Sequence, residues 1–193
     1  FFANGQEALR VKDDGTTLTR WGIAAPTAAP TTAVGTILTT VIESFNTPTI
    51  ATDFTATNCT LTRDTVNVQE GASSLAMTLS ANVAGSATRT LAPVNLTVFP
   101  GGIASTDDDV IRFLLQISGV LPSALDSLSI ALNFSAGTQF VDGYYTADFT
   151  PGSLSPAVST WAEVGLAKRS FERRGTAAGD WSSINGIRLS AIT

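Results

Sequence analysis

Residues 161–189 read WAEVGLAKRSFERRGTAAGDWSSINGIRL. The segment 160–166 has the texture of a strand, and 187–192 has that of a second. Between them lies a basic segment, Lys168, Arg169, Arg173 and Arg174, built around an inward Phe171. A Gly-rich turn and Asp180-Trp181-Ser182-Ser183 follow, and Asp180 is placed to cap a short helical turn at 180–183. If the basic segment is extended, Arg169, Phe171 and Arg173 share one face. No stretch here is long enough, or periodic in the right way, for an amphipathic helix.

The same texture runs back to residue 36. Strands are expected at 37–45, 60–68, 73–79, 87–91, 110–117, 128–134 and 143–149, with turn residues between them, as at Gln69-Glu70-Gly71. The segment 110–117 (VIRFLLQI) is the most apolar, and 123–126 is expected as a second helical turn. Short strands at close spacing predict an all-β protein, an antiparallel β-sandwich over 36–193. Ahead of it, 1–23 carries the turn signals Asn4-Gly5 and Asp14-Gly15, which flank strand-like residues 8–12 and precede 17–21. This predicts a β-hairpin-like arm that belongs to a larger β unit. Residues 24–35 (AAPTAAPTTAVG) are expected to be an extended linker, because Pro26 and Pro30 remove donors and favour extended neighbours.

Of the 193 residues, 44% are apolar, enough for a core, but only 14% are charged, against about a quarter in ordinary globular domains. A surface so poor in charge suits contact with other protein, and a homo-oligomer is expected. The net charge of −5 argues against nucleic acid as a partner. No apolar run reaches membrane-span length, so no membrane partner is expected. Cys59 stands alone and reads as a small buried hydrophobe. The chain opens on Phe1 instead of Met, and the expectation is a processed or partial stretch of a longer polypeptide.

The absence of His removes Ser–His and Cys–His nucleophilic catalysis and His-based zinc sites. Gly101-Gly102 lacks the Lys-Ser/Thr of a phosphate loop. Paired carboxylates drawn from Asp142, Asp148, Glu163 and Glu172 are the one enzymatic option, and the chain is expected not to be an enzyme. Sugar binding needs exposed rings. Tyr144, Tyr145 and Trp161 are the candidates, with Tyr144 and Tyr145 on opposite faces of their strand. Phe134, Phe140, Phe149 and Trp181 are further ring candidates, and Phe113, Phe149, Trp161 and Trp181 also fit core positions. The Asp107-Asp108-Asp109 run is expected to be a solvated loop.

Several motifs carry a resemblance. Glu43-Ser44-Phe45, 68–75 (VQEGASSL), Asp108-Asp109-Val110-Ile111-Arg112-Phe113, Trp161, Phe171, Asp180-Trp181 and Ile184-Asn185-Gly186-Ile187-Arg188 occur in that order. In this order the 36–193 region resembles the carbohydrate-binding-module-like jelly roll. The resemblance implies a jelly-roll sandwich, and in many members a structural Ca²⁺. Glu43 and the Glu70-Gly71 turn match two parts of that calcium site. The closing strand, NGIRLSAIT, has no acid to supply the third, so no cofactor is expected, with Ca²⁺ on Glu43, Glu70 and Gly71 as the alternative. Asn4-Gly5, Asp14-Gly15, Trp21-Gly22-Ile23 and the Ala-Pro linker resemble repeated segments of tailed-bacteriophage neck and tail proteins. That second resemblance implies a non-enzymatic structural component of a virion, in contact with other virion proteins. The alternative is a carbohydrate-binding module that attaches to a surface glycan.

Overall fold

The computed structural model describes residues 40–80, 83–118, 125–150 and 159–192, together with the backbone of four short strands nearer the N-terminus. The chain divides into two compact units, Phe1–Thr39 and Thr40–Thr193. In the first, β1 (Phe2–Ala3) pairs antiparallel with β2 (Gln6–Glu7), and β3 (Leu9–Val11) with β4 (Thr17–Thr19). The β3–β4 register sets Leu9 opposite Thr19 and Val11 opposite Thr17. The expected linker, 24–35, lies outside the described residues.

The second unit is all-β. Its elements are α1 (Ile50–Asp53), β5 (Thr55–Thr57), β6 (Cys59–Asp64), β7 (Ser74–Leu79), β8 (Gly85–Val94), β9 (Val98–Phe99), β10 (Ile103–Ala104), β11 (Val110–Gln116), β12 (Ser127–Asn133), β13 (Gly143–Phe149), β14 (Trp161–Ala167), β15 (Glu172–Gly175) and β16 (Ile184–Ile192). One layer is a six-stranded antiparallel sheet in the order β15-β13-β12-β16-β8-β5. Opposite it lie two antiparallel ribbons, β6–β7 and β11–β14, and β9–β10 is a small separate hairpin.

Alternation along the strands makes the sandwich. From the sheet, Ile130, Leu132, Tyr145, Ala147, Ile187 and Ala87 point inward. From the ribbons, Leu61, Leu75 and Met77 on one side and Ile111, Phe113 and Leu166 on the other pack against the same core. The central strand β12 is buried on both faces towards its end: Ile130 and Leu132 face the core, while Ala131 and Asn133 are covered from outside.

Four differences from the sequence expectation have physical causes. Residues 40–45 are not strand: the backbone N–H of Phe45 donates to Glu43 Oε1 (3.0 Å), Phe45 has φ +55°, and the chain turns into α1. Asp53 closes this turn by accepting from the hydroxyls of Thr47 and Thr49. Strand β8 runs past the expected 87–91 through Pro93. Its partner β5 pairs only with residues 86–88, which leaves Pro93 on an edge where no N–H is required. The basic segment is not one extended face, since Lys168–Ser170 is a 3-10 turn. Only β15 continues the sheet. The short strands β5 and β15 hold through pairing with β8 and β13, which local pattern does not reveal, and β9 and β10 are two-residue strands of a local hairpin.

The expected turn before the last strand is present as a 3-10 turn, Trp181–Ser183, capped by Asp180, whose Oδ1 accepts from the Ser182 N–H (2.8 Å). Of the other expected turn, 123–126, residues 123 and 124 lie outside the described residues.

Candidate functional site

The outward face of the six-stranded sheet gathers the most site-like group of side chains. Strand register places Arg174, Tyr144, Asn133, Gly186 and Thr90 in one row across it, and Glu172, Thr146, Ala131, Arg188, Thr88 and Thr55 in the next. A third row reads Asp148, Ser129, Ser190, Ser86 and Thr57. Most of these residues are small or carry a hydroxyl.

The β12–β13 connection, 134–142, folds back over one end of this face. Its anchor is Asn133, fully buried, which donates to Ser135 O (2.8 Å) and Asn185 Oδ1 (2.6 Å) and accepts from the Phe140 N–H (2.9 Å). Gly186 makes room for the fold-back: a Cβ there would lie 3.1 Å from Asn133 Cβ and 3.3 Å from Gln139 Nε2. Phe140, at φ +58°, is thereby carried against Tyr144, ring centroids 6.1 Å apart at 62°. The Arg188 guanidinium lies over both rings, 4.8 Å from the Phe140 centroid and 5.3 Å from that of Tyr144. Each such cation–ring contact is worth about 0.5–2 kcal/mol, depending on exposure.

Tyr145 points the other way, as alternation requires, and is a core residue. Its ring stacks on Trp181 at 4.0 Å and 2°, Phe134 packs against it at 4.9 Å, and Phe171 meets Trp181 edge-on at 5.6 Å. Burial pushes the Tyr145 phenol above its ordinary pKa. The buried Lys168 closes the cluster. Its Nζ sits 5.2 Å over the Trp181 ring and donates to Leu96 O (3.2 Å) and Ser105 Oγ (3.0 Å). Trp161 lies on the outward face of the β11–β14 ribbon, opposite Gln116 and in line with the exposed Glu163. The three sugar-ring candidates are therefore dispersed: Tyr144 on one outer face, Tyr145 inside, Trp161 on the other layer. Only Tyr144 is placed to meet a ligand beside a second functional group.

Of the residues suggested for calcium, Glu43 is already engaged, and Glu70 lies exposed with no further carboxylates gathered around it among the described residues. Glu43, with 6% side-chain exposure, is paired through Oε2 with Arg89 Nη1 (2.5 Å), and Arg89 Nη2 reaches Asp53 Oδ2 (3.2 Å). Gly71 takes φ +76° in an exposed turn, and Asn46 Oδ1 accepts from the Ala72 and Ser73 N–H groups. Ser73 Oγ is buried without a partner, but a lone hydroxyl does not make the oxygen-rich set that Ca²⁺ takes. Among the described residues no three His, Cys, Asp or Glu side chains gather as a metal site. The guanidinium of Arg89 already neutralises the carboxylate that a calcium ion would need, so these residues do not fit the ion.

The acids considered for catalysis are scattered. Glu163 pairs with Arg112 (3.2 Å) and Glu172 with Arg174 (2.7 Å), while Asp142 Oδ2 accepts from the Thr138 N–H (2.5 Å). Asp148 and Glu172 share the outer sheet face, both exposed. Asp108 pairs with Arg169, and Arg173 Nη2 donates to Ala177 O (2.8 Å). The basic segment thus spends its charge internally.

Three carboxylates hold loops together: Asp64 accepts from Asn67, Asp109 from the Thr106 N–H and Asp180 from Ser182. Hydrogen bonds to the ionised form hold all three below the usual carboxylate range. A carboxylate whose folded pKa is depressed stabilises above its unfolded value, near 4, and loses that contribution as pH falls through the folded value. Melting temperature is therefore expected to hold steady from neutral pH to the ordinary carboxylate range and to fall below it. The Asp64→Asn/Asp109→Asn/Asp180→Asn triple variant should show a shallower acid slope; an unchanged slope would remove these loops as its source.

Neither Arg188 nor its pairing with Phe140 stands out in the sequence. Arg188 sits in a motif of closing-strand residues, and only the cross-strand register and the fold-back at Asn133 bring it to Tyr144. The chain matches no protein-family model, and a search of curated proteins gives no match.

Proposed function

We propose that the chain is a non-enzymatic structural component of a phage virion, in the neck or tail or as a surface decoration, and that it acts by contact between subunits. The observation that carries the contact reading is the outward face of the β11–β14 ribbon. Val110 is 46% and Leu114 39% exposed there, beside the half-buried Trp161. These apolar side chains flank the Arg112–Glu163 ion pair. Aromatic, aliphatic and Arg side chains together are the composition of an interface centre. The occupant that fits is a second copy of the chain. In a twofold arrangement the patch meets itself, and because Arg112 and Glu163 already neutralise each other within one copy it does so without like-charge repulsion. The ribbon also has a free edge on each side among the described residues, open to strand addition.

The virion assignment is supported by the Asn-Gly, Asp-Gly and Trp-Gly-Ile-Ala-Ala-Pro cadence of residues 1–26. Its test is fractionation of a lysate of the producing cells on a density gradient. The chain is expected to band with intact particles; recovery only in the free-protein fractions would refute it. A second reading, glycan binding, is favoured by one observation: Tyr144 presents its ring beside Arg188 on an outer face that carries several Ser and Thr hydroxyls.

A further inference from the structure

We propose that Arg188 and Tyr144 form a binding site for a carboxylated sugar residue, the ring resting on Tyr144 and the carboxylate on the guanidinium. This rests on the glycan reading above and narrows it to an acidic ligand.

The starting point is how the arginines are used. Arg89, Arg112, Arg169 and Arg174 are each paired with a carboxylate, and Arg173 donates to a backbone carbonyl. Arg188 has neither: among the described residues it makes ring contacts only. Arg63 is also without such a partner, but it is exposed on β6 and water satisfies it. Arg188 is half-buried, held between two rings with no protein acceptor for its N–H groups among the described residues, and a guanidinium carries five such donors.

The group is also held in place. The rings of Phe140 and Tyr144 occupy positions against the guanidinium, and Phe140 is fixed by its N–H bond to the buried Asn133. With ring contacts and no protein acceptor among the described residues, the N–H groups of Arg188 are left to donate to a ligand. A planar fork matches a carboxylate in two parallel hydrogen bonds. Preorganisation of this kind removes much of the ordering cost of binding. The sugar part of the ligand follows from the surroundings. Tyr144 offers a flat apolar face for stacking, and Thr88 beside Arg188 and Thr146 beyond Ala131 supply hydroxyls suited to sugar hydroxyls.

The test uses the whole chain on an array of carboxylated and neutral oligosaccharides, followed by calorimetry on the best binder. Carboxylated sugars are expected to bind at least tenfold more tightly than neutral counterparts. Arg188→Gln should lose at least tenfold of that affinity, and Tyr144→Ala a similar amount. Arg188→Lys keeps the charge and loses the fork, so it should rescue little. Unchanged melting temperatures of these variants would show that the fold is intact; should Arg188→Gln unfold the chain, Thr88→Val gives the second reading of the site, with a severalfold loss expected. Neutral sugars binding as tightly as acidic ones, with Tyr144 required, would overturn the acidic ligand and leave the glycan reading standing. No binding to any sugar would overturn both. Acidic binding indifferent to Arg188→Gln would overturn the site.

Discussion

Trp181→Ala is expected to be the most damaging single substitution among the aromatic residues, lowering stability by about 4 kcal/mol and the melting temperature by roughly 10 °C. The indole is the meeting point of three elements. It stacks on Tyr145 from β13, receives the edge of Phe171 at the start of β15, and lies under the Lys168 ammonium at the end of β14. Its backbone carbonyl also accepts from the Leu96 N–H (2.8 Å), which ties the end of β8 to the closing turn. Removing the ring leaves a hole between Tyr145 and Phe171 and strips Lys168 of its aromatic cover. Trp181→Phe keeps part of the stack and should cost about half as much. Thermal melts of the three proteins decide the matter. An effect of Trp181→Ala under about 1 kcal/mol, the size of an ordinary surface change, would show that the cluster is not the seam between the layers.

The second large effect is expected at Arg89. Its guanidinium spans Glu43 and Asp53 and lies 5.8 Å over the Phe54 ring. It thereby ties residues 43–54 to β8. Arg89→Met keeps the length of the stem but leaves Glu43, almost fully covered, without its counter-charge. Breaking one side of a buried pair costs roughly 3 kcal/mol. The double variant Arg89→Met/Glu43→Gln removes the stranded charge and should recover much of the loss. Calcium offers an independent readout. Arg89 supplies the positive charge beside Glu43, so the melting temperature of the wild-type chain should not move between excess EDTA and millimolar Ca²⁺. A calcium-dependent rise would mean that the guanidinium can be displaced and that the ion has a site here after all.

Much of the sandwich was legible because its long strands alternate. Strand β13 falls at Gly143–Phe149 as expected, and β11, β12 and β14 lie within a residue of their expected bounds. Asp180 as a cap was legible because Asp before a short turn has a direct local mechanism. What stayed hidden depends on long-range register. The β-branched run before Phe45 has strand propensity, yet the Glu43 carboxylate and the bonds of Thr47 and Thr49 to Asp53 hold the chain in a turn. In the sequence Lys168 is one of four charges of the basic segment, and only the approach of Leu96 and Ser105 across the fold buries it. The candidate site shows the same division. Alternation alone set Tyr144 and Tyr145 on opposite faces, but not which of the two faces outward. The role of Arg188 was not legible, since it depends on a loop, 134–142, folding back onto the sheet.

The most direct test of contact as the chain's mode of action is the solution mass of the full chain by light scattering, for the wild type and for Leu114→Lys. The wild type should form a closed oligomer. Leu114→Lys places a charge in the middle of the β11–β14 patch and should give a species near 20.0 kDa with its melt unchanged. A wild-type chain that stays at 20.0 kDa across the whole accessible concentration range would contradict self-association through this face.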